Sequence, residues 1–545
     1  MAQPGYTPIL LYGSGTPAHV PLAANMASNS SGAELALNYA DGKLFFKNNF
    51  GVVTLLATAA GSVGGITITN DTSTATTVYP AFVDATSGTC TTIYTSDPNY
   101  QYIPSTGTLT VPRLSTGALN TTIGLNSLLA NTTGVNNTAV GVDALLGNTA
   151  GDDNIAVGYQ TLAANITGSD NVAIGSGSLS VATTASANVC VGAQSGGAIT
   201  ITSGNTAVGN AALAIADTNS NTAIGCQALQ LSEGGENTAV GFNALAFTSV
   251  GNQNVAVGVG ANQNNGSGNN NVAIGYSALT ASIDTSDSVA VGYLALTANT
   301  TGIQNTAVGT RALRDTTTGQ NNTALGFEAL MVNTGDTNTG IGERALTDNT
   351  TGHNNTAVGE LCLRANIDGY DNTAVGSWTA YSLTSGHANT AIGRYAGGAI
   401  ETGNNNVSIG KNTLTTAIAC NNNVVVGNDG MRNGDCGDYN VAIGDTALYE
   451  TTGAYNIALG AYAGVGNFSA NANVAGTNNI YIGFQTVGSG PSNTNEIVIG
   501  NNAVGLGSNT TVIGNLSTVS TVIYGNLTAT GTINGVFNAF LLSGM

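Results

Sequence analysis

Chemistry in this chain would have to come from very few side chains. Only His19, His353 and His387 are imidazoles. His353 and His387 fall in equivalent loops two repeats apart, so they would stand roughly 10 Å from each other at strand spacing, too far for one metal ion. Acidic pairs occur at Asp152-Asp153, at Asp284 and Asp287, and at Glu233 and Glu236. A glycan-cleaving site needs two carboxylates converging at about 5–10 Å across a cleft, and nothing singles out such a pair among these loop acids. Trp378 and Arg311, Arg314, Arg344, Arg364 and Arg394 recur at post-glycine or leucine-flanking positions. They could touch a glycan, but scattered surface residues are the simpler reading. Cys90, Cys190, Cys226, Cys362, Cys420 and Cys436 form no CxxC pair, which predicts buried, reduced thiols rather than a disulfide framework. The Gly-Gly-x-Gly-x-Asp calcium repeat does not recur either. The expectation is no catalytic residue, no cofactor site and no metal site: not an enzyme.

The bulk composition limits the alternatives further. Charged residues make up 7% of the 545, against roughly 25% in an ordinary soluble domain. Ten cations against 29 acids give a formal charge of −19, and so few Lys and Arg cannot neutralise a phosphate backbone. Nucleic acid is excluded as a partner. The hydrophobic share of 42% is too high for a disordered chain. No run of about twenty apolar residues offers a membrane helix, and Met1-Ala-Gln-Pro-Gly-Tyr6 lacks the basic start of a secretory leader. These features predict assembly in a cytoplasm without membrane insertion.

The elements that would position any site come from one repeat. The pentapeptide Asn-Thr-Ala-Val-Gly and its variants close on Gly124, Gly141, Gly158, Gly175 and onward to Gly460, at 17-residue intervals with an occasional 16. A unit such as Gly141 to Val157 has room for two strands and two turns, which is one coil of a solenoid. The Ala-Leu segments at Ala144-Leu145, Ala278-Leu279 and Ala329-Leu330 are expected to form the second strand or a 3₁₀ turn. Repeated Asn and Gly suit sharp left-handed corners, and stacked Asn side chains can form hydrogen-bonded ladders. At about 4.8 Å per coil, roughly 24 coils would span on the order of 115 Å.

Successive strand residues face opposite ways. Thr and Val of the pentapeptide therefore share one face and Ala holds the other. Thr is often replaced by an apolar residue, as at Val172, Val255, Val272 and Ile457, so both faces are apolar or small and both should be buried. The expectation is that one face fills the coil's own core. The column Ala156, Ala173, Ala207, Ala223, Ala239, Ala256 and Ala273 would then pack against the same column in a second and third chain. The alternative places those alanines inside a single-chain solenoid.

The repeats resemble the head domains of trimeric autotransporter adhesins, which implies an all-β, homotrimeric, left-handed parallel β-roll. The ends resemble bacteriophage tail fibres, cyanophage fibres in particular. The matching segments are Pro4-Gly-Tyr-Thr-Pro-Ile-Leu-Leu-Tyr12, Gly32 to Lys47, Pro104 to Val111 and Asn495 to Gly531. From the residues alone, Gly32 to Lys47 reads as a hairpin around Ala40-Asp41-Gly42 with a third strand at 52–56. Tyr79, Phe82, Tyr94, Tyr100 and Tyr102 read as the core of a small β-domain.

The division expected is a virion-attachment β-module at 1–60, a β-rich connector at 61–115, β-roll repeats at 116–460, irregular terminal coils at 461–525 and an apolar tail at 526–545. The resemblance implies a structural virion protein, a trimeric tail fibre that meets other virion proteins through its N-terminal region and is assembled in the host cytoplasm. A self-cleaving C-terminal chaperone domain often follows in that family and is not seen here. A glycan-binding adhesin or tailspike that recognises host-surface polysaccharide is the alternative. An ice-binding solenoid would expose a regular Thr array, and Thr in a buried strand argues against it.

Overall fold

The structure, a computed structural model, describes residues 119–215, 217–465, 474–518 and 520–522, with the backbone of six strands nearer the N-terminus. The chain divides into two units, Met1–Asn120 and Thr121–Met545. In the first, Glu34–Asn38 pairs antiparallel with Lys43–Lys47, Asn38 opposite Lys43. This is the hairpin that Asp41-Gly42 and the flanking alternation dictate. Val53–Ala57 adds antiparallel to Lys43–Lys47, and Tyr12–Ser14 lies parallel to Glu34–Asn38. Gln101–Ile103 pairs antiparallel with Thr108–Thr110 across Pro104. Tyr79, Phe82, Tyr94 and Tyr100, and the tail at 526–545, lie outside the described residues.

The second unit is an all-β parallel solenoid of about 23 turns. Each coil contributes a three-residue strand, and the register is strict: Ala139 opposes Ala156, Ala156 opposes Ala173, Ala239 opposes Ala256. The ladder runs from Thr121–Ile123 to Thr511–Ile513, so the coils beyond Gly460 change length without leaving the sheet. No helix occurs among the described residues.

The segment expected as a second strand or 3₁₀ turn is instead a left-handed turn in most coils. Two residues after the marker glycine, and again at four, the backbone is left-handed, as at Asp143 (φ 58°) and Leu145 (φ 50°). Two left-handed residues so close together curl the chain rather than extend it. Leucine enters this conformation at a cost of about 1–2 kcal/mol, whereas burying its side chain yields about 1.5–3 kcal/mol. Burial decides the outcome, and Leu145, Leu162 and Leu179 are fully buried. Among the described residues, Leu231–Ser232 and Phe247–Thr248 pair as a short second ladder, which Ile215 extends by a bridge to Leu231, and Val487 bridges Val504.

The structure reverses the expected roles of the two strand faces. Ala139, Ala156, Ala173, Ala239 and Ala256 are fully buried within their own chain, and the flanking Thr/Val and Val/Ile point outward. The reason is width. At Gly340, which stands in the Ala column, even an added methyl would lie 3.1 Å from Leu330 Cγ. Three larger residues enter the column where a neighbour shrinks. Cys190 faces Gly196 in the leucine position, Val425 faces Gly430, and Tyr481 lies over Gly464. Ala256→Leu, made without such a partner, is expected to destabilise the solenoid by about 1–3 kcal/mol or more, read from its denaturant midpoint. Restoration by a compensating Leu→Gly change in a contacting coil would confirm the packing.

Candidate association face and lateral side-chain clusters

The most extensive surface feature is the outward face of the parallel sheet. Every coil presents a Thr, Val or Ile before the strand's central residue, most often Ala, and a Val, Ile or Leu after it. The second column is part-exposed along the sheet: Val257 is 36% and Leu325 47% exposed, with Ile174, Ile224, Ile274, Ile392 and Ile443 between, while Val240, Val291, Val308 and Val358 are less exposed. A neighbouring column just past the glycine widens the apolar surface with Phe242, Val259, Tyr276 and Tyr293. Tyr276 and Tyr293 stack at 5.6 Å. Between Glu343 and Asp445 that neighbouring column turns polar, with Glu360, Arg394 and Lys411.

Thr306, Thr323, Thr339, Thr356, Thr373 and Thr390 all lie in the outward column. The premise that Thr is buried is therefore wrong, although the companion column is Val, Leu or Ile throughout.

The pentapeptide asparagines form a buried ladder. The Asn154 backbone N–H and its Nδ2 both donate to Asn137 Oδ1, at 3.0 and 3.1 Å, and Nδ2 also donates to the Gly168 carbonyl at 2.9 Å. The same triple contact recurs at Asn171, Asn372 and Asn389. These asparagines are not the left-handed corners; the residue before each one is, as at Asn136 and Asp153. Their amides are consumed by the coils themselves. The ladder ends on Glu496, a buried carboxylate that accepts from Asn493 Nδ2 at 3.0 Å and from the Gly507 N–H at 2.8 Å.

The acidic pairs serve the loops. Asp152 accepts from the Val135 N–H at 2.7 Å, Asp287 from Asn270 Nδ2 at 3.0 Å, and Glu236 from Gln253 Nε2 at 2.9 Å. Glu233 borders a groove of about 360 Å³ with Ile215, Leu231 and Phe247. His353 and His387 are joined by Tyr370, whose ring stacks on them at 5.1 and 4.6 Å. Among the described residues, no group of three His, Cys, Asp or Glu is placed to hold a metal ion.

The arginines are less scattered than their numbering suggests. Arg311 and Arg344 both pair with Glu328, at 3.1 and 2.9 Å. Burial alone would raise the Glu328 carboxyl, but the hydrogen bonds and charges of Arg344 and Arg311 outweigh it and hold it below its ordinary value. Arg364 lies over the Tyr381 ring and Arg394 over Tyr395, while Trp378 touches both tyrosines. Spacings of 17 between 364 and 381 and between 378 and 395 carry the signal for this grouping, because one coil separates stacked positions.

The same arithmetic corrects the cysteines. Cys420 and Cys436 are 16 residues apart, one short coil, and are disulfide-bonded with Cα atoms 5.7 Å apart. Cys190 and Cys362 are free and buried, and burial pushes each thiol up to about 12. Cys226 is exposed. In a Cys90→Ser background at pH 8, Cys226 should therefore take up a maleimide within minutes, while Cys190 and Cys362 react only on denaturation. Mass spectrometry of the labelled peptides reads this directly, and early labelling of Cys190 would contradict the packing. No known protein family, curated protein or solved structure matches this chain.

Proposed function

We propose that this chain is a structural rod that assembles as a parallel homotrimer, a left-handed β-roll fibre forming a tail fibre or similar virion appendage. The observation that carries the trimer is the outward column of Val, Ile and Leu beside Thr and Val, repeated at every coil. A surface with a 4.8 Å repeat over about 23 turns is matched along its length only by another copy with the same repeat. If each coil gains about 1 kcal/mol from covering its half-exposed aliphatic residue, the gross gain is ~20 kcal/mol per interface. That exceeds the roughly 4–15 kcal/mol lost on association.

The virion assignment rests on the resemblance of the two ends to phage fibres, with the N-terminal region meeting other virion proteins and the solenoid projecting from the particle. Immunogold labelling of intact particles tests it. Gold at a tail or appendage is expected; labelling confined to host cell debris would remove the assignment.

A further inference from the structure

We infer that the lateral cluster of Trp378, Tyr381 and Tyr395, flanked by Arg364 and Arg394, is a binding site for a carboxylated glycan. The cluster spans three consecutive coils. Trp378 lies 4.8 Å from Tyr381 and 5.7 Å from Tyr395, ring centre to ring centre, and the guanidiniums of Arg364 and Arg394 stand 5.6 and 4.9 Å from the tyrosine rings. Trp378 is the chain's single tryptophan.

The solenoid does not need these rings. Asp143, Gln160 and Gly177 occupy the equivalent place to Trp378 in other coils, and Leu146, Ala163 and Ser180 the place of Tyr381. All three aromatic residues remain partly exposed, so none belongs to the core.

The arginines indicate what the rings meet. Arg311, Arg314, Arg344 and Arg432 are paired with carboxylates of this chain. Arg364 and Arg394 form no ion pair among the described residues; Arg364 donates from Nη1 to the neutral Tyr381 hydroxyl at 2.5 Å, and its Nε is buried without a hydrogen-bond partner. Their charge is available to a ligand anion, which a guanidinium grips bidentately when it is a carboxylate. Flat aromatic faces suit the C–H face of a pyranose ring. Exposed Glu360 and partly exposed Ser377 lie alongside, where they can accept or share sugar hydroxyl protons. Glu343 and Glu360, two coils and one coil before Ser377 in the same column, oppose a densely charged polymer such as nucleic acid. A uronic-acid strand, with one carboxylate per ring and apolar ring faces, fits both halves of the cluster.

The sole tryptophan makes the site its own reporter. Full-length protein is titrated with alginate oligomers, with maltodextrin as the uncharged control and polyglutamate as the anionic one. Alginate is expected to shift Trp378 emission saturably, with little response to either control. Arg364→Ala/Arg394→Ala should weaken the apparent Kd by about ten- to a hundredfold while leaving the solenoid's circular dichroism unchanged. Absence of a response to alginate, an equal response to maltodextrin or polyglutamate, or undiminished binding by the double variant would overturn the proposal. None of these outcomes depends on the oligomeric state.

Discussion

Replacing Val240, Val257 and Ile274 together by aspartate should convert the assembled protein into folded monomers. These residues close three successive strands and point away from the coil interior. Within one chain the substitution costs less, because these side chains stand outside the coil's core and are already part-exposed, Val257 by 36% and Ile274 by 39%. In the trimer it removes three apolar side chains, about 4–5 kcal/mol per chain at a conservative 1.5 kcal/mol each. It also leaves three carboxylates from every chain facing one another without cations. The combined effect exceeds a thousandfold in the association constant. Sedimentation velocity should give a single slower species with an unchanged β-type circular dichroism spectrum. A trimer that survives all three aspartates would place the interface elsewhere.

A second large effect is expected at the marker glycines, and it separates two kinds of glycine. Gly258 has φ 137°, and an added Cβ would stand 2.4 Å from the Gly275 carbonyl oxygen of the next coil. That oxygen belongs to the coil stack and cannot withdraw without disturbing the ladder. Gly258→Ala should cost about 3 kcal/mol or more, combining backbone strain with a steric clash. Gly260 is only two residues away, at φ 64°, where its Cβ would meet nothing closer than Ser277 Oγ at 3.5 Å. Asp143, Gln160 and Ser277 hold the same left-handed place in other coils. Gly260→Ala should therefore cost about 1 kcal/mol. Guanidinium denaturation of both variants measures the contrast, and equal losses would show that the close approach at Gly258 relaxes freely.

Periodicity made the solenoid legible because a coil this short must stack on itself, and the glycine spacing survives every other substitution. The Asn ladder was legible for the same reason. What alternation could not decide was which strand face turns inward. Thr/Val and Ala both suit a buried surface, and only the room left beside Leu330 or Leu145 selects Ala for the interior. Leucine in a left-handed turn runs against every propensity, so the Ala-Leu segment reads as a strand or 3₁₀ turn. The Cys420–Cys436 bond and the Arg364, Tyr381, Trp378 and Tyr395 grouping were present as spacings of 16 and 17. Along the sequence such residues look distant, yet in a stacked fold they are nearest neighbours.

The central claim is that the outward Thr/Val and Val/Ile face joins three copies. Sedimentation equilibrium of the full-length protein under native conditions tests it most directly. The account predicts a mass three times that of the 54.1 kDa chain, constant over the concentration range examined. A stable mass of one chain, with the solenoid folded and its outward aliphatic columns bare, would contradict it.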